Sequence, residues 1–323
     1  MEGVQKPKAA FLCSNPNAIA SVYGKERMAR IAELTDLLPE VVTDIDQQDL
    51  SEIELVFSTW GMLCLTEEQL KRLPNLKVVF YAAGATEYFV RPFLRCGIAC
   101  SSAWQANAVP VAEFTFAQII LGLKGAQRLC RRLHGPEQFQ RDLAGPGVYG
   151  ATVGLLGDGA VAHHLERMLG ICHLTVQMLP TLPEKRTIPL AQFFATSQVV
   201  SNHLPNREDN IGVVTQALLE SMPRNGVFIN TGRGRQIDEP GLIAALKNRP
   251  DLTAILDVTH PEPPNADSEL YTLPNVFLTP HLAGSTNDEC HRMADYMLEE
   301  LERYLAGQPL QYPVLEEYLI PAP

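Results

Sequence analysis

No two cysteines in this 323-residue chain stand in a CxxC or zinc-like spacing, and their total of seven is odd. A disulfide framework is therefore not expected, no metal is expected, and free thiols in a reducing compartment fit better. Each cysteine reads first as a buried small apolar residue, with a catalytic thiol as the sharper alternative. Basic residues are also in short supply: 26 Lys and Arg stand against 37 Asp and Glu, a formal net charge of -11. That balance argues against nucleic acid or an anionic membrane as a partner. An anionic substrate would need a local basic group to draw it in. No apolar run approaches the ~20 residues needed to span a bilayer. The opening MEGVQKPKAAFLCS holds too short an apolar segment for a secretory signal, so a cytoplasmic setting is expected. Internal repeats and low-complexity tracts are missing as well.

What is present is the pattern of an α/β protein. The chain is 46% hydrophobic with a mean hydropathy of -0.03, and its length suggests two domains. Short β-branched runs alternate with helix-period stretches from end to end. KAAFLC, EVVTDI, IELVFST, LKVVFYA and GIACSS read as strands in the first hundred residues. ATVGLLG, HLTVQML, QVVSNHL, GVFINTG, LTAILDV and NVFLTP follow later. Strands apolar on both faces and separated by helices imply parallel sheet with right-handed crossovers. Two such sets imply two doubly wound domains. A long helix from about Asn107 to Arg132 follows the boundary, with Asn107 as its N-cap and Pro110 in its first turn. Near the end, Ser285 and Asp288 resemble a capping box. Met293, Met297, Leu301 and Leu305 recur every fourth residue, and Gly307 with Pro309 stops the run. This last helix is placed to return to the first domain.

Chemistry-bearing residues follow successive strands of the second set. Arg233 lies in INTGRGR, Glu262 in DVTHPEPP and His281 in TPHLAG. Singly, each has an ordinary reading as a solvated turn residue, an exposed loop acid or a structural histidine. In a parallel sheet, however, all three strand ends lie along the edge where open α/β sheets bind ligands. Together the three suit reduction of a 2-keto acid. A planar guanidinium can grip the substrate carboxylate bidentately. Histidine can protonate the carbonyl oxygen as hydride arrives, and a carboxylate behind its other nitrogen fixes the tautomer.

Upstream, TVGLLGDGAVAHHLERMLG lies between a strand and a helix and carries most of a dinucleotide-binding glycine signature, GxGxxG. Gly157 and Gly159 supply the first two glycines, and Ala162 takes the third place, where a small residue is accepted.

Taken together, YGATVGLLGDG, VVSNHLPN, MPRNGVFINTGRGRQIDEPGLIAAL, LDVTHPEPP and LPNVFLTPHLAGST resemble the D-isomer-specific 2-hydroxyacid dehydrogenase family. The likeness runs nearly unbroken from Val148 to Thr286 and is weaker in LKVVFYAAGATEY and NAVPVAEFTFAQIIL. It implies a Rossmann cofactor domain, residues 103–283, inserted in a flavodoxin-like substrate domain, residues 1–102 with 284–323. By the same likeness Arg233 binds substrate, Glu262 is the relay acid and His281 the acid/base. Cofactor contacts are implied for Gly157, Asp158, Gly159, Ala160 and Val161, and for Thr231, Gly232, Arg233 and His281. His203, Leu204 and Pro205, with Asn210, would line the adenosine side, and Asp257 would contact the nicotinamide carboxamide. Ala83, Gly84 and Ala85 would offer a nest of amides to the substrate carboxylate. Trp60 would close over the substrate, with a core tryptophan as the plain alternative. The family is commonly dimeric, so a homodimer is implied.

The cofactor site departs from the family pattern twice. Asp158 sits where a diphosphate should approach, and a carboxylate there weakens binding unless its side chain turns outward. No Asp or Glu occurs from Arg167 through Pro183, so the ribose acid expected about twenty residues on is missing. NAD is the expected cofactor, and Lys185 and Arg186 leave NADP open. Two other readings remain beside an oxidoreductase: a nucleotide-sensing binding module, and a pseudoenzyme with a degraded cofactor site. Glu262, where the formate-oxidising branch resembles a glutamine, argues against that branch.

Overall fold

The structure is a computed structural model and describes residues 6–139, 145–316 and 319. The chain forms two compact units, Met1–Ala108 with Ser285–Ile320, and Val109–Gly284. The expected domain ranges also run over residues 1–5, 140–144, 317–318 and 320–323, which lie outside the described residues.

In the first unit, β1 (Lys8–Phe11), β2 (Asp36–Leu37), β3 (Leu55–Ser58), β4 (Val78–Tyr81) and β5 (Ala99–Ser102) form one parallel sheet in the order β2-β1-β3-β4-β5. Alternate residues of each strand feed opposite faces. Leu55, Phe57, Val78 and Phe80 join one core, while Val56, Val79 and Tyr81 join the other. Helices α1 (Pro16–Leu34), α2 (Glu67–Leu70) and α3 (Val90–Arg95) connect them, and α4 (Trp104–Leu123) carries the chain out of this unit. The stretch EVVTDI is not a strand. The pairing partner of β1 comes earlier, at Asp36–Leu37, and Pro39 follows it. Only Val42 rejoins the sheet, as an isolated bridge to Leu12.

In the second unit, α5 (Ala126–Arg132) precedes β6 (Thr152–Leu156), α6 (Ala160–Leu169) and β7 (Thr175–Leu179). Then come α7 (Leu190–Thr196), β8 (Val199–Asn202), α8 (Gln216–Ser221), β9 (Val227–Asn230), α9 (Glu239–Asn248), β10 (Thr253–Leu256) and β11 (Val276–Leu278). The six strands are all parallel, in the order β11-β10-β9-β8-β6-β7. Here too there are two cores, one around Phe193, Phe194 and Phe228, the other around Val153, Leu155 and Ile229.

The helix expected over Asn107–Arg132 begins earlier and is broken. It starts at Trp104, so Asn107 and Pro110 are interior, and Gly125 in the left-handed region (φ 67) separates α4 from α5. The side chain of Asn107 accepts from the Ser285 amide at 3.0 Å instead of capping. By length and hydropathy α4 could cross a bilayer, contrary to the expectation from apolar runs. Half of its most apolar window is buried, with Ala112, Ile119 and Leu123 in the second unit's core.

No cysteine is paired. Cys13, Cys100 and Cys290 are buried, whereas Cys64, Cys96 and Cys130 are exposed and do not fit the reading as core residues.

The last helix, α10 (Cys290–Leu305), closes the first unit. Met293, Met297 and Leu301 are fully buried beside Ile19, Val22 and Tyr23 of α1. The capping box is Thr286 with Glu289, one residue beyond the expected Ser285 and Asp288; the Ser285 amide, which the reciprocal bond would need, donates to Asn107 instead. Gly307 ends the helix at φ 67. Truncating Met297 to Ala should cost about 2–5 kcal/mol through lost burial and the cavity left behind. Urea unfolding would check it, and a change under about 1 kcal/mol would mean that α10 does not seal this core.

Candidate active site

The parallel register dictates where the second unit keeps its chemistry. β9, β10 and β11 are neighbours, so the loops after them lie along one edge. His281 follows β11 and sits in the left-handed region at φ 52, a conformation costly for a residue with a Cβ. Its turn is held by Asp257, a 3% exposed carboxylate at the end of β10. Asp257 Oδ1 accepts from Thr279 Oγ1 at 2.6 Å and the Leu282 amide at 2.9 Å, and Oδ2 from the Ala283 amide at 3.0 Å. The His281 amide donates to the Asp257 and Thr279 carbonyls. His281 Nδ1 meets Glu262 Oε1 at 2.6 Å. Nε2 has no hydrogen-bond partner among the described residues. Both side chains are about half exposed, and with Asp257, Pro264 and Tyr271 they line a pocket of about 440 Å³.

Arg233 does not line that pocket. It sits one strand over, after β9, half-buried, with Nη1 donating to its neighbour Gly232 at 2.8 Å. The loops after β9 and β10 touch at Gly234. A Cβ there would lie 2.0 Å from the Thr259 carbonyl group, so no larger residue fits without moving one of them.

A buried amide network that sequence reading missed sets the position of Arg233. Gln236 Nε2 donates to the carbonyls of Leu204 and Pro205 at 2.7 and 2.8 Å, while its Oε1 accepts from Asn202 Nδ2 and the Arg233 amide. Asn202 Nδ2 also donates to Asn230 Oδ1, which accepts from the Gly232 amide as well. Asn230 Nδ2 donates to the Arg233 carbonyl. The turn after β8 is thereby joined to the turn after β9. In sequence Asn202 and Asn230 carry only the signal of their position at strand ends, and Gln236, six residues beyond β9, carries none.

Residues expected on the adenosine side divide. Pro205 is exposed, whereas Leu204 and Asn210 are buried, and Asn210 donates back to the Pro205 carbonyl at 3.1 Å. His203 is half-buried between Ser201 Oγ (2.8 Å from Nε2) and Thr231 Oγ1 (3.5 Å from Nδ1). Burial without a charged partner pushes its pKa down to about 3, so this imidazole is neutral in the fold.

At the glycine signature, Gly157 is at φ 112, and a Cβ would lie 2.9 Å from the His203 carbonyl oxygen. Only glycine suits it. Gly159 is the opposite: a Cβ there would meet nothing within 4 Å, and no side chain caps α6. Ala162 is fully buried against the sheet, as its place in the signature requires. The Asp158 carboxylate is not directed into the opening of α6, since its Oδ1 accepts from the Thr181 amide at 3.0 Å. An open glycine crest with uncapped helix amides fits a dinucleotide diphosphate.

In the first unit, Ala83 is buried and Gly84 and Ala85 are half-buried after β4. Ser102 Oγ donates to the Ala83 and Gly84 carbonyls at 2.8 and 3.0 Å, which fixes this turn. Among the described residues, the Gly84 and Ala85 amides have no acceptor. Trp60 is 42% exposed and so is not a core residue.

Comparison with known proteins agrees with this geometry. The family model for the D-isomer specific 2-hydroxyacid dehydrogenase NAD binding domain matches residues 116–283, more than half of the chain. The chain belongs to this family. It is 31% identical over 248 residues to a (S)-sulfolactate dehydrogenase of Chromohalobacter salexigens, covering 74% of this chain and 80% of that one. It is 26% identical over 258 residues to a glycerate dehydrogenase of Methylorubrum extorquens, covering 75% and 80%. Among solved structures, apo D-mandelate dehydrogenase of Rhodotorula graminis superposes with a TM-score of 0.82 at 22% identity, covering 96% of this chain and 98% of that one. The 2-hydroxyacid dehydrogenase family is NAD-dependent, and the second unit of this chain is its NAD-binding domain.

Two outcomes test the framework of the site. Gln236→Ala should cost about 2–4 kcal/mol, because it strips buried carbonyls and the Asn202 amide of partners; denaturant unfolding measures it. Stability linked to His203 is fully present above the unfolded-state pKa of about 6.5. It is lost as pH falls toward 3, since in that window only the unfolded chain takes up the proton. The acid limb of stability against pH should therefore be shallower in His203→Gln than in the parent, and superimposable curves would refute the assignment.

Proposed function

We propose that this protein is an oxidoreductase that interconverts a small 2-keto acid and its D-2-hydroxy acid with NAD(P)H. The observation that carries the reading is the 2.6 Å contact of His281 Nδ1 with Glu262, in a pocket at the strand ends of an NAD-binding domain. Glu262, as acceptor, keeps a proton on Nδ1 and leaves Nε2 to exchange one with substrate. A structural histidine gains nothing from being held at positive φ with one nitrogen unpartnered, and Asp257 maintains that turn.

We assign the diphosphate to the amides of Gly159, Ala160 and Val161 at the start of α6. The adenosine side goes to the turn of His203, Leu204 and Pro205. Thr231 and Gly232 would flank the nicotinamide half, where Asp257 has one lone pair left for a carboxamide. When bound, reduced nicotinamide supplies a hydride to the keto carbon. Arg233 grips the substrate carboxylate and leans on the carbonyl oxygen, stabilising the charge that grows there. Protonated His281 delivers its Nε2 proton to that oxygen, giving the hydroxy acid. Within the first unit, the Gly84 and Ala85 amides, without acceptors among the described residues, suit an anionic group.

Purified protein given NADH or NADPH and then glyoxylate, hydroxypyruvate, pyruvate or bulkier keto acids should consume reduced nicotinamide with at least one of them. Nucleotide binding without turnover on any would overturn the enzymatic reading in favour of a sensor. With an active substrate, His281→Ala should lower kcat by about 10²–10⁴-fold, and Glu262→Gln by less. An unchanged kcat in His281→Ala would remove this residue from the chemistry.

A further inference from the structure

We infer that Asp158 supplies, from the glycine loop, the ribose-recognising carboxylate that the end of β7 lacks, and that it selects NAD over NADP. The inference rests on the cofactor assignment above and gives it a direction.

In a doubly wound cofactor domain the first strand ends in the glycine turn, and the next ends where the adenosine ribose is held. An acid at that second end accepts from the ribose hydroxyls and repels a 2′-phosphate. Here β7 ends at Leu179, followed by Pro180 and Thr181, none of them acidic. The missing charge is nevertheless close by. β6 and β7 pair in register, Leu156 opposite Leu179, and the ladder continues with the Gly157 amide donating to the Leu179 carbonyl at 2.8 Å. Residues two beyond each strand, Asp158 and Thr181, are thus side by side. The Asp158 Oδ1 contact with the Thr181 amide at 3.0 Å places the carboxylate at the end of β7. Oδ2 has no partner among the described residues, and the side chain is exposed. One carboxylate oxygen is therefore held while the other is free to accept a hydroxyl.

Two cations, Lys185 and Arg186, lie on the loop after β7. Arg186 is committed to the same loop, with Nε donating to the Pro180 carbonyl and Nη2 to the Thr181 carbonyl, both at 3.1 Å. Its field is shared with Asp209 and Glu184. Lys185 is exposed and makes no ion pair among the described residues. A 2′-phosphate would be repelled by the fixed carboxylate. A 2′-hydroxyl would find an acceptor.

Fluorescence titration of the full chain with NADH and with NADPH, at one fixed ionic strength, tests the inference without relying on turnover. The parent should bind NADH at least tenfold more tightly than NADPH. Asp158→Asn keeps an oxygen for the Thr181 amide and removes the charge, so the preference should shrink at least fivefold, with NADPH binding tightened. Asp158→Ala should also weaken NADH. Equal melting temperatures would show that the variants are folded. Tighter binding of NADPH by the parent, or a preference unaltered in both variants, would overturn the role of Asp158 and leave the proposed activity standing. Failure of the parent to bind either nucleotide would overturn both.

Discussion

Where a parallel strand ends, its backbone N–H and C=O groups lose their ladder partners, and buried ones must find others. The second unit meets this constraint with side chains that reach back to the backbone. Gln236 caps the turn after β8, Asn230 the turn after β9, and Asp257 the turn after β11. Each of those turns carries a residue of the candidate site. Satisfying the backbone and aiming the site are thus one task. The cost of a half-satisfied buried network ties activity to stability at this edge.

Much of the fold was legible because parallel strands covered on both faces are apolar throughout. Ten of the eleven strands among the described residues fall within runs that stand out in the sequence, and the two sets of runs correspond to the two units. EVVTDI misled because its β-branched residues have the composition of a strand while β1 had already paired at Asp36 and Leu37. The start of α4 was misplaced for a related reason. Asn107 looks like a cap, yet its side chain is taken by Ser285, far along the chain. Local chemistry proposes such roles, and a distant partner reassigns them.

The site followed the same division. Arg233, Glu262 and His281 stood out because charged groups after strands are few and the sheet puts them on one edge. Asn202, Asn230 and Gln236 did not, since their work is done on carbonyls and amides of other loops. Asp158 stood out in sequence for its place between two glycines, with the outward turn of its side chain left open. Its sequence neighbours are the two glycines, which suggested a clash with diphosphate, whereas its structural neighbour is Thr181 on the adjacent strand's loop.

The first unit is not continuous in sequence. The core over β1, β3 and β4 is completed by Met293, Met297 and Leu301 of α10, which come after the entire second unit. A ribosome therefore releases the first hundred residues long before the helix that covers them. Residues 109–284 hold both of their own cores, while that earlier sheet still has one face covered only in part, by α1. The first unit is thus the part of the chain whose core is assembled from both ends of the sequence, and its sheet stays incompletely covered until α10 has been made.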